Sequence, residues 1–213
     1  MKKNGLLLTL CFLFIYELTH AQIWTEYSSF YPAVGLQIGS SGLGLQGAYP
    51  LSPEFNFRAG GNFVPSVKLK HNNQFFELKR SNAELFFDWQ PLYGGESWIS
   101  RKWILSVGAS YFFYNKAVVY VGSENSDEQP IDYTVEWSQF RPYVGTGLNG
   151  IRIAYHFNLA VNAGYFIPTS ETKIVPYAKD PSGISHIRDR LNSFPNNILP
   201  GMQLQVGLNY IFF

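Results

Sequence analysis

The chain has 213 residues, of which 46% are hydrophobic, 17% aromatic and 15% charged, a composition that excludes a disordered chain. A mean hydropathy of -0.07 is too polar for a bundle of membrane helices. With 16 Lys and Arg against 15 Asp and Glu the net charge is +1, so no basic excess points to nucleic acid. The length argues for one domain, and 19 glycines with 14 tyrosines favour strands over helices.

Lys2 and Lys3 precede an apolar run from Gly5 to Tyr16, and Thr19-His20-Ala21 follows with a small residue at its end. A run of about 12 residues is too short to span a membrane, which takes about 20, so residues 1–21 read as a secretory signal peptide cleaved after Ala21. Residues 22–213 then form one barrel domain. Cys11 is the chain's single cysteine and lies in the apolar run after Leu10, which is not small, so it does not read as a lipidation site. The mature chain has no thiol chemistry.

From Tyr31 onward the pattern has period two. Met202, Leu204, Val206, Leu208, Tyr210 and Phe212 share one face of the last segment, and Gln203, Gln205, Gly207 and Asn209 share the other. The same alternation marks Phe55 to Phe63, Asn82 to Trp89, Leu105 to Phe113 and Asn158 to Ile167. Eight strands are expected: Tyr31 to Gly39, Gly42 to Pro50, Phe55 to Lys70, Phe75 to Gln90, Trp103 to Val121, Tyr133 to Asn149, Phe157 to Pro168 and Leu199 to Phe213. Ser40 and Ser41 leave so little room for a turn that the first two could be one long strand. Leu51-Ser52-Pro53-Glu54 is a short turn, whereas Thr169 to Ile198 is a long connection with Pro176, Pro181 and Pro195. Short turns at one end and long loops at the other are the habit of outer-membrane barrels. The polar face is mostly Gly, Ser, Asn and Gln rather than long charged residues. That suits a packed lumen better than the wet face of a β-sandwich.

Four charged residues fall on the polar face: Arg58, Glu84, Asp88 and Arg141. The interior of an eight-stranded barrel is just wide enough for its own side chains, so these are expected to pair as a lumen charge network, with no open channel. A hairpin centred on Asn72 and Asn73 puts Arg58 opposite Asp88 or close to it, and Glu84 near Asn62. Pro65 is positioned to bulge the strand and shift that register. The histidines His71, His156 and His186 do not cluster, and Ser185-His186 is a sequence-adjacent pair with unsuitable geometry for a nucleophile and its base. No catalytic, metal or cofactor site is expected. Glu124, Asp127, Glu128 and Asp132 make an acidic loop best read as solvated charge. In the last loop Ile184, Ile187 and Leu191 have helical spacing after Asp180-Pro181-Ser182, which predicts a short helix at the outer mouth. Lys173, Lys179, Arg188 and Arg190 are its candidate contacts to lipopolysaccharide phosphates.

The ending Val206-Gly207-Leu208-Asn209-Tyr210-Ile211-Phe212-Phe213 resembles the terminal strand of Gram-negative outer-membrane proteins. Gly42-Leu43-Gly44-Leu45-Gln46-Gly47-Ala48-Tyr49, Phe55-Asn56-Phe57-Arg58-Ala59-Gly60, Phe87-Asp88-Trp89-Gln90-Pro91 and Pro142-Tyr143-Val144-Gly145-Thr146-Gly147 are similar to small outer-membrane proteins of the OmpA/OmpX-like barrel group. The resemblance implies a closed antiparallel transmembrane barrel in the cell outer membrane. It implies an assembly signal at Tyr210, Phe212 and Phe213 that the barrel-assembly machinery reads. Outer-membrane lipid and lipopolysaccharide are the other implied partners. A monomer with a non-enzymatic structural or surface-contact role is expected. A lipid-modifying enzyme or an apolar-ligand barrel is the alternative.

Overall fold

The computed structural model describes residues 30–65, 68–71, 74–121, 131–176 and 201–212. Its strands are β1 Ala33–Gly39, β2 Gly42–Pro50, β3 Phe55–Phe63, β4 Lys68–His71, β5 Gln74–Trp89, β6 Trp103–Val121, β7 Ile131–Glu136, β8 Phe140–Ala154, β9 Phe157–Phe166, β10 Lys173–Pro176 and β11 Met202–Ile211. Eight of them close a barrel in the order β1-β2-β3-β5-β6-β8-β9-β11, with β11 pairing back onto β1. Every pairing is antiparallel. The signal peptide expected over residues 1–21, the acidic residues Glu124, Asp127 and Glu128, and the helix expected around Ile184 to Leu191 lie outside the described residues.

Period two decides which side of the wall each residue faces. On β11, Met202, Leu204, Val206, Leu208 and Tyr210 are exposed, while Gln203, Gln205 and Asn209 are buried. The same holds around the wall, where Leu36, Leu45 and Leu204 show more than half their surface. Such a wall would be unstable in water, yet in hydrocarbon it is solvated, and closure leaves no unpaired strand edge at barrel level. The outward apolar run on β6 from Leu105 to Tyr114 is about ten residues, the length that crosses a membrane at a barrel's tilt.

The first hairpin is two strands with a two-residue turn, Ser40-Ser41. Gly42 makes the turn work by taking φ +103°, and a Cβ there would lie 2.1 Å from the Phe63 carbonyl oxygen. β11 clasps the turn, since the Ser40 N–H donates to the Leu204 carbonyl at 2.9 Å. In the next turn, Ser52 Oγ accepts from the backbone N–H groups of Glu54 and Phe55 at 3.3 and 3.1 Å.

Two of the expected strands are interrupted. The third divides into β3 and β4 around Pro65, which cannot donate to the ladder, and partner sums shift by one, from Phe63↔Ser81 to Lys68↔Glu77. The sixth divides at residues 137–139 and runs longer than expected at both ends, as β7 and β8. A further strand, β10, lies inside what reads in sequence as one long loop. Opposite these breaks β6 carries a bulge, where Ser81↔Tyr114 is followed by Asn82↔Phe112 and Phe113 is extra. Both Phe113 and Tyr114 therefore face outward. Above this level, away from the chain ends, the described residues form an open sheet of five strands on the rim, β4-β5-β6-β7-β10.

Candidate functional site

The lumen is filled by two layers of side chains, one polar and one aromatic, which interleave on β5, where Phe86 lies between Glu84 and Asp88. In the polar layer Arg58 meets Asp88 through Nε and Nη2, both at 3.1 Å. Asp88 also accepts from Asn56 Nδ2 at 3.1 Å and Ser106 Oγ at 2.6 Å, so its two oxygens take bonds from three side chains. The second carboxylate, Glu84, is solvated by amides: Gln37 Nε2 donates at 2.8 Å, Asn82 Nδ2 at 3.2 Å and Gln205 Nε2 at 3.4 Å. Asn62 joins through Gln37 Nε2, which it accepts at 2.6 Å. Toward the chain ends the network continues from Arg58 to Gln46, Asn209 and Asn158. Satisfying buried charges this completely is what makes their burial tolerable.

The aromatic layer is Phe86, Phe112, Tyr143 and Phe166, all at most 3% exposed. Phe86 and Tyr143 centroids are 4.6 Å apart, Tyr143 and Phe166 4.9 Å, and Phe112 meets Phe166 edge-on at 5.5 Å. The Arg58 guanidinium sits 4.9 Å from the Phe86 centroid and Arg80 sits 4.6 Å from Phe112, so two of the four rings carry a cation over them. Arg141 is 1% exposed, and its Nε donates to Ser138 Oγ at 3.0 Å on the rim side of Phe112. At the other end Phe30 is 1% exposed and closes a cavity of only about 10 Å³, bounded by Gln46, Asn56, Arg58 and Asn209. That is room for about one water.

The four lumen charges from the sequence thus share the interior but not one cluster. Arg58 and Asp88 pair, Glu84 lies among amides, and the Arg141 guanidinium lies against the aromatic residues, 5.9 Å from the Phe112 ring centroid. Directly opposite Arg58 is Phe86, while Asp88 faces Asn56. Of the terminal aromatics, Tyr210 and Phe212 lie outward with centroids 5.3 Å apart, and Tyr210 stacks on His156 at 5.2 Å. Phe213 is outside the described residues. Lys173 is exposed on β10, whereas Lys179, Arg188 and Arg190 fall outside the described residues. Among the described residues no group of His, Cys, Asp and Glu could hold a metal ion.

Two features were not read from sequence. The parity of β5 and β6 does put Phe86 and Phe112 on the lumen face, and two large aromatics among Asn, Ser and Glu were the available signal. The second is a cleft of about 480 Å³ where the breaks in β7/β8 and β9/β10 face the β6 bulge. Side chains bridge the gap: Asn115 Nδ2 donates to the Ser138 carbonyl at 2.9 Å, and Thr169 Oγ1 to the Phe140 carbonyl at 2.6 Å.

In this arrangement of staves the chain is similar in fold to CarO of Acinetobacter baumannii. The crystal structure of CarO superposes with a TM-score of 0.58 at 16% identity, over 86% of this chain and 98% of that one. The structure of CarO2 gives 0.59 at 15% identity, over 85% and 99%. Coverage of almost the whole of both neighbours means that the likeness spans the fold and not a fragment of it, while identity this low carries the fold and no residue role. No protein-family model and no curated protein matches the chain.

Proposed function

We propose that this chain is an integral outer-membrane β-barrel of the small OmpA/OmpX-like kind, non-enzymatic and closed to solutes, acting in the envelope through its wall and rim. The observation that carries the reading is the filled lumen behind an apolar wall: the Arg58–Asp88 pair, the four-ring cluster and Phe30 are all buried within it. A channel needs a continuous wet path, and eight-stranded barrels use their interior for side chains. Resemblance in fold to CarO and the terminal aromatics support placement in the outer membrane. Export by a signal peptide, insertion by the barrel-assembly machinery and contact with lipopolysaccharide follow as parts of the same proposal.

The test combines location with conductance. N-terminal sequencing of protein from isolated outer membranes should begin at Gln22, and the folded band should migrate differently until boiled. In planar bilayers the purified protein should carry no steady current. A sustained ohmic conductance overturns the closed lumen, and recovery in the soluble periplasm overturns the barrel's placement.

A further inference from the structure

We propose that the cleft at the rim binds the phosphoryl headgroup of a membrane amphiphile, with Lys116 and Lys173 as its anion contacts and Lys79 beside them. The proposal rests on the reading that the apolar wall lies in a membrane. The register places Lys79 opposite Lys116, Lys116 opposite Glu136, and Glu136 opposite Lys173, so these four residues form one row across β5, β6, β7 and β10. Directly opposed residues of antiparallel strands share a face. Period two on β6 runs from exposed Tyr114 past buried Asn115 to Lys116, so the charged row shares the outward face of Tyr114, and the next row on that face, Glu77, Val118 and Thr134, is buried.

The row carries three lysines and one glutamate, and the cleft it borders is lined by two of each, Lys116 and Lys173 with Glu136 and Glu171, so an anion is held by the placement of the two lysines and not by net charge. Lys79 takes an ion pair from Glu77 at 3.4 Å, but among the described residues Lys116 and Lys173 have none within 4.0 Å. Like charges opposed across a sheet repel, and Lys79 opposite Lys116 is such a pair, which a bound anion would relieve. The row is also at a particular height. Immediately below it on the wall lie Tyr114, Phe113, Tyr111 and Phe140, all about half exposed, so the row sits where an apolar band ends and headgroups begin. Lys116, Glu136 and Lys173 line the cleft, and Trp137, Ser170 and Glu171 complete its rim side. Interruption of the ladder in neighbouring staves gives the headgroup a recess that an unbroken wall would not offer. An inorganic ion would use the lysines but leave the aromatic surface beneath them unused, which is why the occupant is an amphiphile.

The experiment uses the full mature protein in dodecylmaltoside, titrated calorimetrically with dioctanoyl phosphatidic acid, inorganic phosphate and dioctanoylglycerol. Phosphatidic acid should saturate a single site and bind more tightly than either other probe. Lys116→Gln with Lys173→Gln should weaken it roughly tenfold or more, Lys116→Arg with Lys173→Arg should retain it, and Lys102→Gln, at the opposite end, should not matter. Equal binding of inorganic phosphate overturns the amphiphile, equal binding of dioctanoylglycerol overturns the headgroup contact, and unchanged binding by the double Gln variant overturns the site. The heat-modifiable band of each variant reports the barrel separately. Loss of that band in every form counts against the membrane reading, whereas weak binding by an intact barrel counts against the cleft alone.

Discussion

Arg58 reaches Asp88 along a diagonal: the two belong to neighbouring strands, but the residue facing Arg58 is Phe86 and the one facing Asp88 is Asn56. The offset lets Arg58 present Nε and Nη2 to both carboxylate oxygens at 3.1 Å while its flat face lies over the Phe86 ring. A lysine has neither the fork nor the plane to do both.

Removing that arginine should therefore expose the cost of a stranded carboxylate. Arg58→Ala is expected to destabilise the barrel by about 3–5 kcal/mol, and Arg58→Ala with Asp88→Ala by less than the sum of the single changes. Arg58→Lys should recover only part of the loss. Urea unfolding from lipid vesicles, followed by tryptophan fluorescence, measures all four.

The aromatic layer and the lipid-facing wall should respond differently to truncation. Phe112 is fully buried, so Phe112→Ala leaves a cavity and should cost about 3–5 kcal/mol. Leu85 is 55% exposed toward the surrounding phase. Leu85→Ala should cost roughly 1 kcal/mol or less, because lipid tails fill the space. Equal losses in the same unfolding assay would place Leu85 inside a protein core and contradict the assigned faces.

Gly42 combines φ +103° with a carbonyl oxygen 2.1 Å from where a Cβ would stand. Gly42→Ala is expected to cost more than the ~1–2 kcal/mol of a left-handed residue alone, since Phe63 must also move. Folding yield into vesicles should fall, with Gly47→Ala, whose Cβ would meet nothing nearer than 3.9 Å, as the harmless comparison.

At the carboxyl end, deletion of Phe213 should leave the folded band in cells intact, while Tyr210→Ser with Phe212→Ser should abolish it. Tyr210 and Phe212 share the outward face of β11 and its extension, whose backbone the Phe212 N–H anchors on the Pro32 carbonyl at 2.9 Å. Loss of the band on deleting Phe213 alone would show that the terminal signal is read one residue later.

Lys102, in the turn before β6, has its pKa lowered by burial and then by the Arg101 and Arg152 charges. A lysine depressed in the folded state opposes folding while it is charged. That penalty is fully present below its folded pKa and fades as pH rises toward the unfolded value of about 10.4. Lys102→Gln should thus be more stable than the parent at pH 7, with the gain shrinking at alkaline pH and in high salt. A variant less stable than the parent at pH 7 would show that the lysine's packing outweighs its charge.

The strand faces were legible because period two survives in one sequence: Gln203, Gln205 and Asn209 opposite Leu204, Val206 and Leu208 leave one choice of inside and outside once the sheet closes. The break at Pro65 could also be anticipated from the missing N–H. The break at Trp137-Ser138-Gln139 could not, since those residues alternate as a strand would, and the cleft arises only where β6, β7/β8 and β9/β10 fail at one height. The row through Lys79, Lys116, Glu136 and Lys173 spans four strands distant in sequence. No window along the chain contains it.

The five-strand rim has a consequence for neighbours. Unlike the closed barrel beneath, it ends, among the described residues, in two outermost strands, β4 and β10, and a strand edge without a partner invites a strand from another molecule. Both are only four residues long. β4 reads Lys68-Leu69-Lys70-His71, so a copy adding itself there antiparallel would set Lys68 against His71 in full overlap and Lys68 against Lys70 one residue out of it. β10 begins with Lys173 and ends at Pro176, which has no N–H to offer. Barrels crowded in one membrane are thereby discouraged from zipping together into sheets at their rims.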